Sequence, residues 1–415
     1  MKRDQTFRVA IRKFDPFESA IRKQWAAFEA FAGTRLTLDA QAFDLHGLTD
    51  ALFERKGLLL GDWDVAFINT DWIASLHASK AVFDLAPLLE KDPPDDFPNG
   101  WTPSLLRLQQ IDCSVLGVPY HDGPECLIYR KDLFEDPKEQ RAYQERFGGP
   151  LRVPRTWQEF YQVAQFFQRP ENGLYGTAFA AFPDGHNTVY DFLLQLWTRG
   201  GELFDRSGRI QLDTPQAIHA LAFYRSMLED ASAVHPQCRE MDSVKSGLAF
   251  AAGEIAMMVN WFGFAAMSET LADSRVKGRV DIANIPQAES GPSTSLNIYW
   301  ILCIAAGSPH REIAYQFLRH CLAAPMDKLL TMEGGIGCRR STWNDPDVNR
   351  AVPFYKRLEN LHLNAREIPR LPEWPHVASV VDELVSKVIQ TRKPVDQLCR
   401  EAQARVFTVF AAAGN

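Results

Sequence analysis

Within its first 90 residues the chain alternates strand-like and helix-like segments, and this alternation narrows the possible folds more than any other feature. Phe7-Arg8-Val9-Ala10-Ile11 alternates as a half-buried strand, and Phe17–Ala32 then places Ile21, Trp25, Phe28 and Phe31 at helical spacing. Leu36–Ala40 reads as the next strand, Gly47–Lys56 as a helix, and Trp63–Ile68 as a buried strand running into Asn69-Thr70-Asp71-Trp72. A β-α-β-α-β start is the signature of an open, largely parallel α/β sheet. Ligands of such sheets sit beyond the carboxyl ends of the strands, which singles out Arg12-Lys13-Phe14 and Asn69-Thr70-Asp71-Trp72. Each mixes hydrogen-bonding groups with an aromatic ring. The alternative for the second is a solvated loop with Asp71 as a helix N-cap.

A second unit begins near Gly117. Val118-Pro119 forces extended backbone, because proline disfavours helix at the residue before it, and Cys126–Tyr129 is a short β-type run. Thr156-Trp157-Gln158-Glu159 fits a capping box, with Phe160, Val163, Ala164 and Phe167 as the apolar face of the helix that follows. Further helices are expected at Tyr190–Thr198, Thr214–Asp230, Ser243–Ala252 and Phe264–Ala272. Strand-like segments fall at Ile255–Val259, Val280–Ile285 and Ile298–Ala305, and the end of the chain is mostly helical. Strands that return after a helix-rich stretch predict two lobes, with the chain passing between them more than once.

Composition removes several classes of function. Lys and Arg total 45 against 52 Asp and Glu, a net charge of −7, and no five like charges are consecutive, so binding nucleic acid through its phosphates is excluded. No uncharged stretch approaches the roughly 20 apolar residues of a membrane span. The basic start, Met1-Lys2-Arg3-Asp4, runs into the charged segment Phe7–Arg12 and not into an apolar one, so no export signal is expected there. The seven cysteines, at 113, 126, 238, 303, 321, 338 and 399, form no Cys-x-x-Cys and stand at no metal-ligand spacing from histidine. They read as small buried hydrophobes and lean towards a reducing compartment. Neither a metal nor a cofactor is expected.

No nucleophile elbow, His-Glu-x-x-His, Walker loop or dinucleotide fingerprint occurs. The loops Ser290-Gly291-Pro292-Ser293 and Gly334-Gly335-Ile336-Gly337 lack a phosphate-binding lysine. The enzyme alternative is a two-domain carbohydrate-active hydrolase with Asp71 and Glu373 as acid and base. His46, His121 and His186 lie in turn-rich segments, with no Cys or Ser at a spacing that suggests a dyad.

Six segments stand in a telling order. They are Gly61–Phe67 with Asp71-Trp72; Gly117–Tyr120 with Leu127–Phe134; Pro154–Phe160; Trp197–Gly201; Gly253–Met258 ahead of Asn260-Trp261; and Ala306–Pro309 leading into Ala314–Leu318. Together they resemble the extracellular solute-binding proteins of ATP-driven sugar importers, the family that includes the maltose-binding protein. The resemblance spans essentially the whole chain. It implies an α/β, two-lobe periplasmic-binding-protein-like fold of type II, each lobe a mostly parallel sheet flanked by helices, with a ligand cleft between the lobes. It also implies an N-terminal lobe of residues 1–122 plus 287–320, a C-terminal lobe of 123–286 plus 321–415, and hinge crossings near 120–126, 283–287 and 318–324. The expected protein is a monomer that closes on a small-molecule solute, delivers it to the transmembrane subunits of an ABC permease, and works in the periplasm or outside the cell. A cytoplasmic, non-transport relative is the alternative that the cysteines and the missing signal support. Where many relatives continue the late glycine loop with proline, this chain has Cys338-Arg339-Arg340.

Residues matching cleft positions of that family are Lys13 and Phe14; Asn69, Asp71 and Trp72; Tyr120 and Asp122; Asn187 and Tyr190; Asn260 and Trp261; Asn297 and Trp300; Arg339; and Trp374. Sugar recognition needs apolar ring faces against C–H groups and paired donors and acceptors for hydroxyls. Helical spacing assigns Trp25, Trp157 and Trp197 to the core, whereas the polar neighbours of Trp72, Trp261, Trp300 and Trp374 assign those to the cleft. Lys13, Asp71, Asp122 and Arg339 suit a charged ligand equally well, so the ligand's charge stays open. The aromatic content favours a carbohydrate or polyol.

Overall fold

The computed structural model describes residues 5–289 and 291–413; Met1–Asp4 of the basic start and Ser290 of the Ser290–Ser293 loop lie outside them. In chain order the strands are β1 (Thr6–Arg12), β2 (Thr37–Phe43), β3 (Val65–Asn69), the short β4 (Gln110–Ile111) and β5 (Ser114–Val115), β6 (Val118–His121), β7 (Glu125–Arg130), β8 (Met257–Trp261), β9 (Val280–Ala283), β10 (Ser295–Leu296), β11 (Trp300–Ile304) and β12 (Ala365–Arg366).

The chain divides into two units. The first holds residues 1–123, 298–362 and 367–372, and the second 124–297, 363–366 and 373–415. The first change of unit, at 123/124, lies within the expected 120–126. The later ones lie at 297/298, 362/363, 366/367 and 372/373, not near 283–287 and 318–324. Residues 287–297 stay with the second unit because β10 pairs with β12, and Trp157 donates its backbone N–H to the Gln287 carbonyl. Residues 321–362 stay with the first because Gln24 of the helix Asp15–Ala32 reaches the Met326 carbonyl, and Arg339 is anchored to Asp95 and Asp96.

The first unit is built on a five-stranded sheet in the order β2-β1-β3-β11-β6. β1 is parallel to β2 and to β3, as the β-α-β-α-β pattern predicts, while β11 is antiparallel to both β3 and β6. All five residues of β3 are buried, as befits a central strand covered on both faces. The helix Asp15–Ala32 lays Phe17, Ile21, Trp25 and Phe28 on this sheet. Trp25 stacks on Phe7 at 4.6 Å between ring centroids, and Phe17 meets Phe67 at 5.2 Å. Burial of each such side chain contributes about 1.5–3 kcal/mol.

The second unit corrects the expectation of a mostly parallel sheet. Its strands run in the order β8-β7-β9, and β7 is antiparallel to both neighbours. β8 and β9 therefore point the same way, joined by the helix Phe262–Thr270, with β7 inserted between them. β7 follows β6 after only three residues, without the helical crossover that brings a strand back parallel. The rest of the unit is largely helical, with Asn187–Trp197, Pro215–Glu229, Trp374–Gln390 and Val395–Ala413 packed on one another. The capping box at Thr156 forms with both of its hydrogen bonds, and Trp25, Trp157 and Trp197 are core residues as expected.

Six of the seven cysteines are buried and only Cys113 is exposed; all are free thiols. Among the described residues no cluster of three or more His, Cys, Asp or Glu could hold a metal, and no helix is long and apolar enough to cross a membrane.

Candidate functional site

On the first unit, the ends of β3, β6 and β11 gather an aromatic group. Trp300 lies opposite Asn69 on one side and His121 on the other, so the ladder sets these three side by side. The Trp72 ring stands edge-on to Trp300 at 5.9 Å and to Phe53 at 5.6 Å. Phe14, half-buried just before the helix Asp15–Ala32, packs on Phe17, which in turn touches His121 and Trp300. Asn69, and not Asp71, is the cap of the short turn Thr70–Trp72: its Oδ1 accepts the Asp71 N–H at 3.2 Å. Lys13 is exposed, and its backbone N–H bonds the Phe43 carbonyl.

His121 belongs with this group although the sequence reading did not select it. Its Nδ1 accepts the Ile336 N–H at 2.9 Å, which leaves the ring proton on Nε2 as a donor. Burial pushes the imidazole down to about 4, against a smaller upward pull from Asp122, so the ring is neutral at physiological pH. The signal in the sequence was its position at the end of a strand, next to Pro119-Tyr120.

The second unit presents a comparable face. Trp261 ends β8 half-buried, its ring nearly perpendicular to that of Tyr190 with centroids 5.7 Å apart, while the Tyr190 hydroxyl bonds His186 Nδ1 at 2.9 Å. Asn187 opens the helix Asn187–Trp197 and is fixed by Asp184, whose carboxylate takes both its backbone N–H and its side-chain amide. Glu125 and Asp191, missed in the sequence, lie on this unit as well. Glu125 is directly opposite Trp261 in the β7–β8 ladder, and Asp191 follows Tyr190 and accepts the Tyr224 hydroxyl at 2.6 Å. Burial raises both carboxyls, Glu125 well above the usual range and Asp191 to about 7.

Four expected contacts are corrected because their side chains are buried and bonded to other groups of the protein. Tyr120 turns into the core, where its hydroxyl donates to Gln24 Oε1 at 2.8 Å. Asn260 alternates with Trp261, so its side chain points the other way and bonds the Ser243 carbonyl and Ser246 Oγ. Arg339, 1% exposed, bonds Asp96 and the carbonyls of Asp95 and Leu322, with its guanidinium 4.5 Å above Trp101. Asp122 is buried and bonded to His362 Nε2 at 2.7 Å; His362 Nδ1 reaches Ser104 Oγ at 3.1 Å and the ring lies flat on Trp343. Trp374 is buried at the start of the helix Trp374–Gln390, and Asn297 is buried just after β10.

The Ser104–His362–Asp122 array is the dyad-type arrangement that linear spacing did not reveal. Ser104 Oγ is also bonded to Thr102 Oγ1, and Asp122 and His362 are almost fully buried, so the array ties chain segments together. A cavity of about 780 Å³ in the second unit, between Arg152, Arg155 and Asn284, contains none of the expected site residues.

The family model described as bacterial extracellular solute-binding protein matches residues 19–327. The chain belongs to this family. As a solute-binding protein it has a relative in Deinococcus radiodurans, named a probable ABC transporter-binding protein, with 24% identity over 322 residues, covering 76% of this chain and 72% of the relative. Its fold is that of the ABC transporter solute-binding protein from Agrobacterium radiobacter K84 in complex with ribitol, with a TM-score of 0.85, 23% identity and 98% of each chain covered. It is also that of the maltose-bound T. maritima protein MalE3, with a TM-score of 0.83, 20% identity, and 97% and 99% of the two chains covered. The family is one of binding proteins, not of enzymes.

Proposed function

We propose that this solute-binding protein takes up a carbohydrate or polyol outside the cytoplasmic membrane, in the periplasm or beyond it, and hands it unchanged to the transmembrane subunits of an ABC permease. The observation that carries this reading is the pair of half-buried tryptophans, Trp300 on the first unit and Trp261 on the second, each braced edge-on by a second ring and each beside hydrogen-bonding groups. Aromatic faces with polar neighbours suit the two kinds of surface on a sugar or sugar alcohol. The ribitol and maltose seen on proteins of this fold support the same class.

On this reading the residues that contact solute are Phe14, Asn69, Asp71, Trp72, His121 and Trp300 on the first unit, and Tyr190 and Trp261 on the second. The test is a thermal-shift and calorimetric screen of the purified protein with ribitol, D-mannitol, maltose and arabinooligosaccharides, with amino acids and polyamines as controls. A solute at 100 times its dissociation constant raises stability by about 2.7 kcal/mol. The expected outcome is a shift confined to sugars or polyols with the solute recovered intact. A shift confined to the controls, or recovery of cleaved sugar, overturns the proposal.

A further inference from the structure

We infer that the face on the second unit selects a solute bearing a protonated amino group, an amino sugar or amino-polyol, held by Glu125 and Asp191 beside Trp261. The inference rests on the carbohydrate or polyol reading above and narrows it.

The geometry begins with β7 and β8. Residues directly opposite in an antiparallel ladder project to the same face, so Glu125 shares its face with Trp261, whose ring meets Tyr190. Asp191 is adjacent to Tyr190 and acts electrostatically on Glu125. Glu125 is 5% exposed. Buried carboxylates are ordinarily paired with a cation. Among the described residues neither has a lysine or arginine partner. The charged group acting on Glu125 is Asp191, and the one acting on Asp191 is Asp184, both acidic. Other titratable groups on this face include Tyr190, His186, Tyr224, Cys126 and Cys238. Of these only His186 can become positive, and it is bonded to the Tyr190 hydroxyl.

A separate observation comes from Asn297. Its backbone N–H bonds the Arg366 carbonyl, two residues after Ser295 N–H bonds the Asn364 carbonyl, so the two residues are in phase and their side chains leave on the same side. Ser295 Oγ reaches the Glu125 carbonyl, which aims this side at the start of β7. Asn297 is 2% exposed, and neither its Oδ1 nor its Nδ2 has a hydrogen-bond partner among the described residues. A buried amide with both ends unmet is rare, and its donor and acceptor suit a hydroxyl next to the amine.

An ammonium group supplies three donors and the missing positive charge, and it gains further from the face of an indole. A hydroxyl in its place supplies a single donor and no charge. Because burial raises both carboxyls, Asp191 to about 7, capture of a cation favours their ionised forms and releases protons.

The experiment is titration calorimetry at pH 7 in phosphate and in Tris with three matched pairs: D-glucose and D-glucosamine, D-mannitol and 1-amino-1-deoxy-D-mannitol, and ribitol and 1-amino-1-deoxyribitol. At least one aminated member is expected to bind 10-fold or more tightly than its hydroxyl counterpart, with a buffer-dependent heat that reports proton release. Glu125→Gln and Asp191→Asn are each expected to erase most of that preference. Equal or tighter binding of the hydroxyl members overturns this inference and leaves the proposed function standing. Silence with all six compounds and with the neutral solutes of the earlier screen overturns both. If either variant fails to fold, the wild-type protein decides, because amine binding without proton release overturns the inference.

Discussion

At the scale of the residue, what separates a site side chain from a structural one is whether its polar atoms are already engaged. Trp261 is half-buried, with its ring nearly perpendicular to that of Tyr190. Trp261→Ala is expected to weaken solute binding by roughly 1–3 kcal/mol through lost stacking area, read by calorimetry, and wild-type affinity would remove it from the site. The bonds of Asp122 are internal. His362→Ala leaves a buried carboxylate facing a void, and the expected cost is about 3–5 kcal/mol in urea unfolding; a loss below about 1 kcal/mol would mean that the pair adds little to the fold. His121 gives a pH signature. Its folded-state value of about 4 lies below the ordinary 6.5, so the unfolded chain takes up the proton first. The associated stability is complete above about pH 6.5 and disappears as the pH falls towards 4, a span worth about 3 kcal/mol. His121→Asn, which keeps an acceptor for the Ile336 N–H, is expected to lose less stability than wild type between pH 7 and pH 4.5. Identical slopes would contradict this assignment.

At the scale of the element, the helices were the most legible part of the sequence. Period and cap agree at Trp157–Phe167, where Thr156 accepts the Glu159 N–H and the Glu159 carboxylate returns to the Thr156 N–H. Thr156→Ala is expected to cost about 1 kcal/mol of stability, with little effect on solute affinity, as separate denaturation and binding curves would show; an affinity loss larger than the stability loss would place this cap in the binding mechanism. The strands were legible as segments but not as a sheet. Nothing local in Glu125–Arg130 says that it runs against both neighbours, because strand direction follows from the connection and not from side-chain pattern. The same limit governed the site. Trp72, Trp261 and Trp300 could be picked out from their neighbours, but Tyr120 and Asn260 fell on the wrong side of a two-residue alternation that only strand register fixes. His362 could not be joined to Asp122, 240 residues away, by any spacing rule.

At the scale of the whole molecule, the chain leaves and re-enters each unit, so no single stretch of sequence contains a complete unit. In the first unit this matters most at β11. Residues 1–123 carry β1, β2, β3 and β6, but β3 and β6 are not neighbours: each pairs with β11, from 300–304, which stands between them. Without β11 the inner edge of β3 exposes the backbone groups of a fully buried strand, and β6 has no ladder partner in the sheet. Gly117 fits the same dependence, because a Cβ there would lie 2.8 Å from Cys303 Sγ and 2.9 Å from the Leu302 carbonyl oxygen, so the approach to β6 is shaped to β11. A fragment of residues 1–123 is therefore expected to show no cooperative urea transition and no slowly exchanging amides in β3, whereas the full chain protects β3 strongly. A cooperative transition in the fragment would mean that β3 and β6 pair directly in the absence of β11, and that the interleaved connection is dispensable for folding this unit.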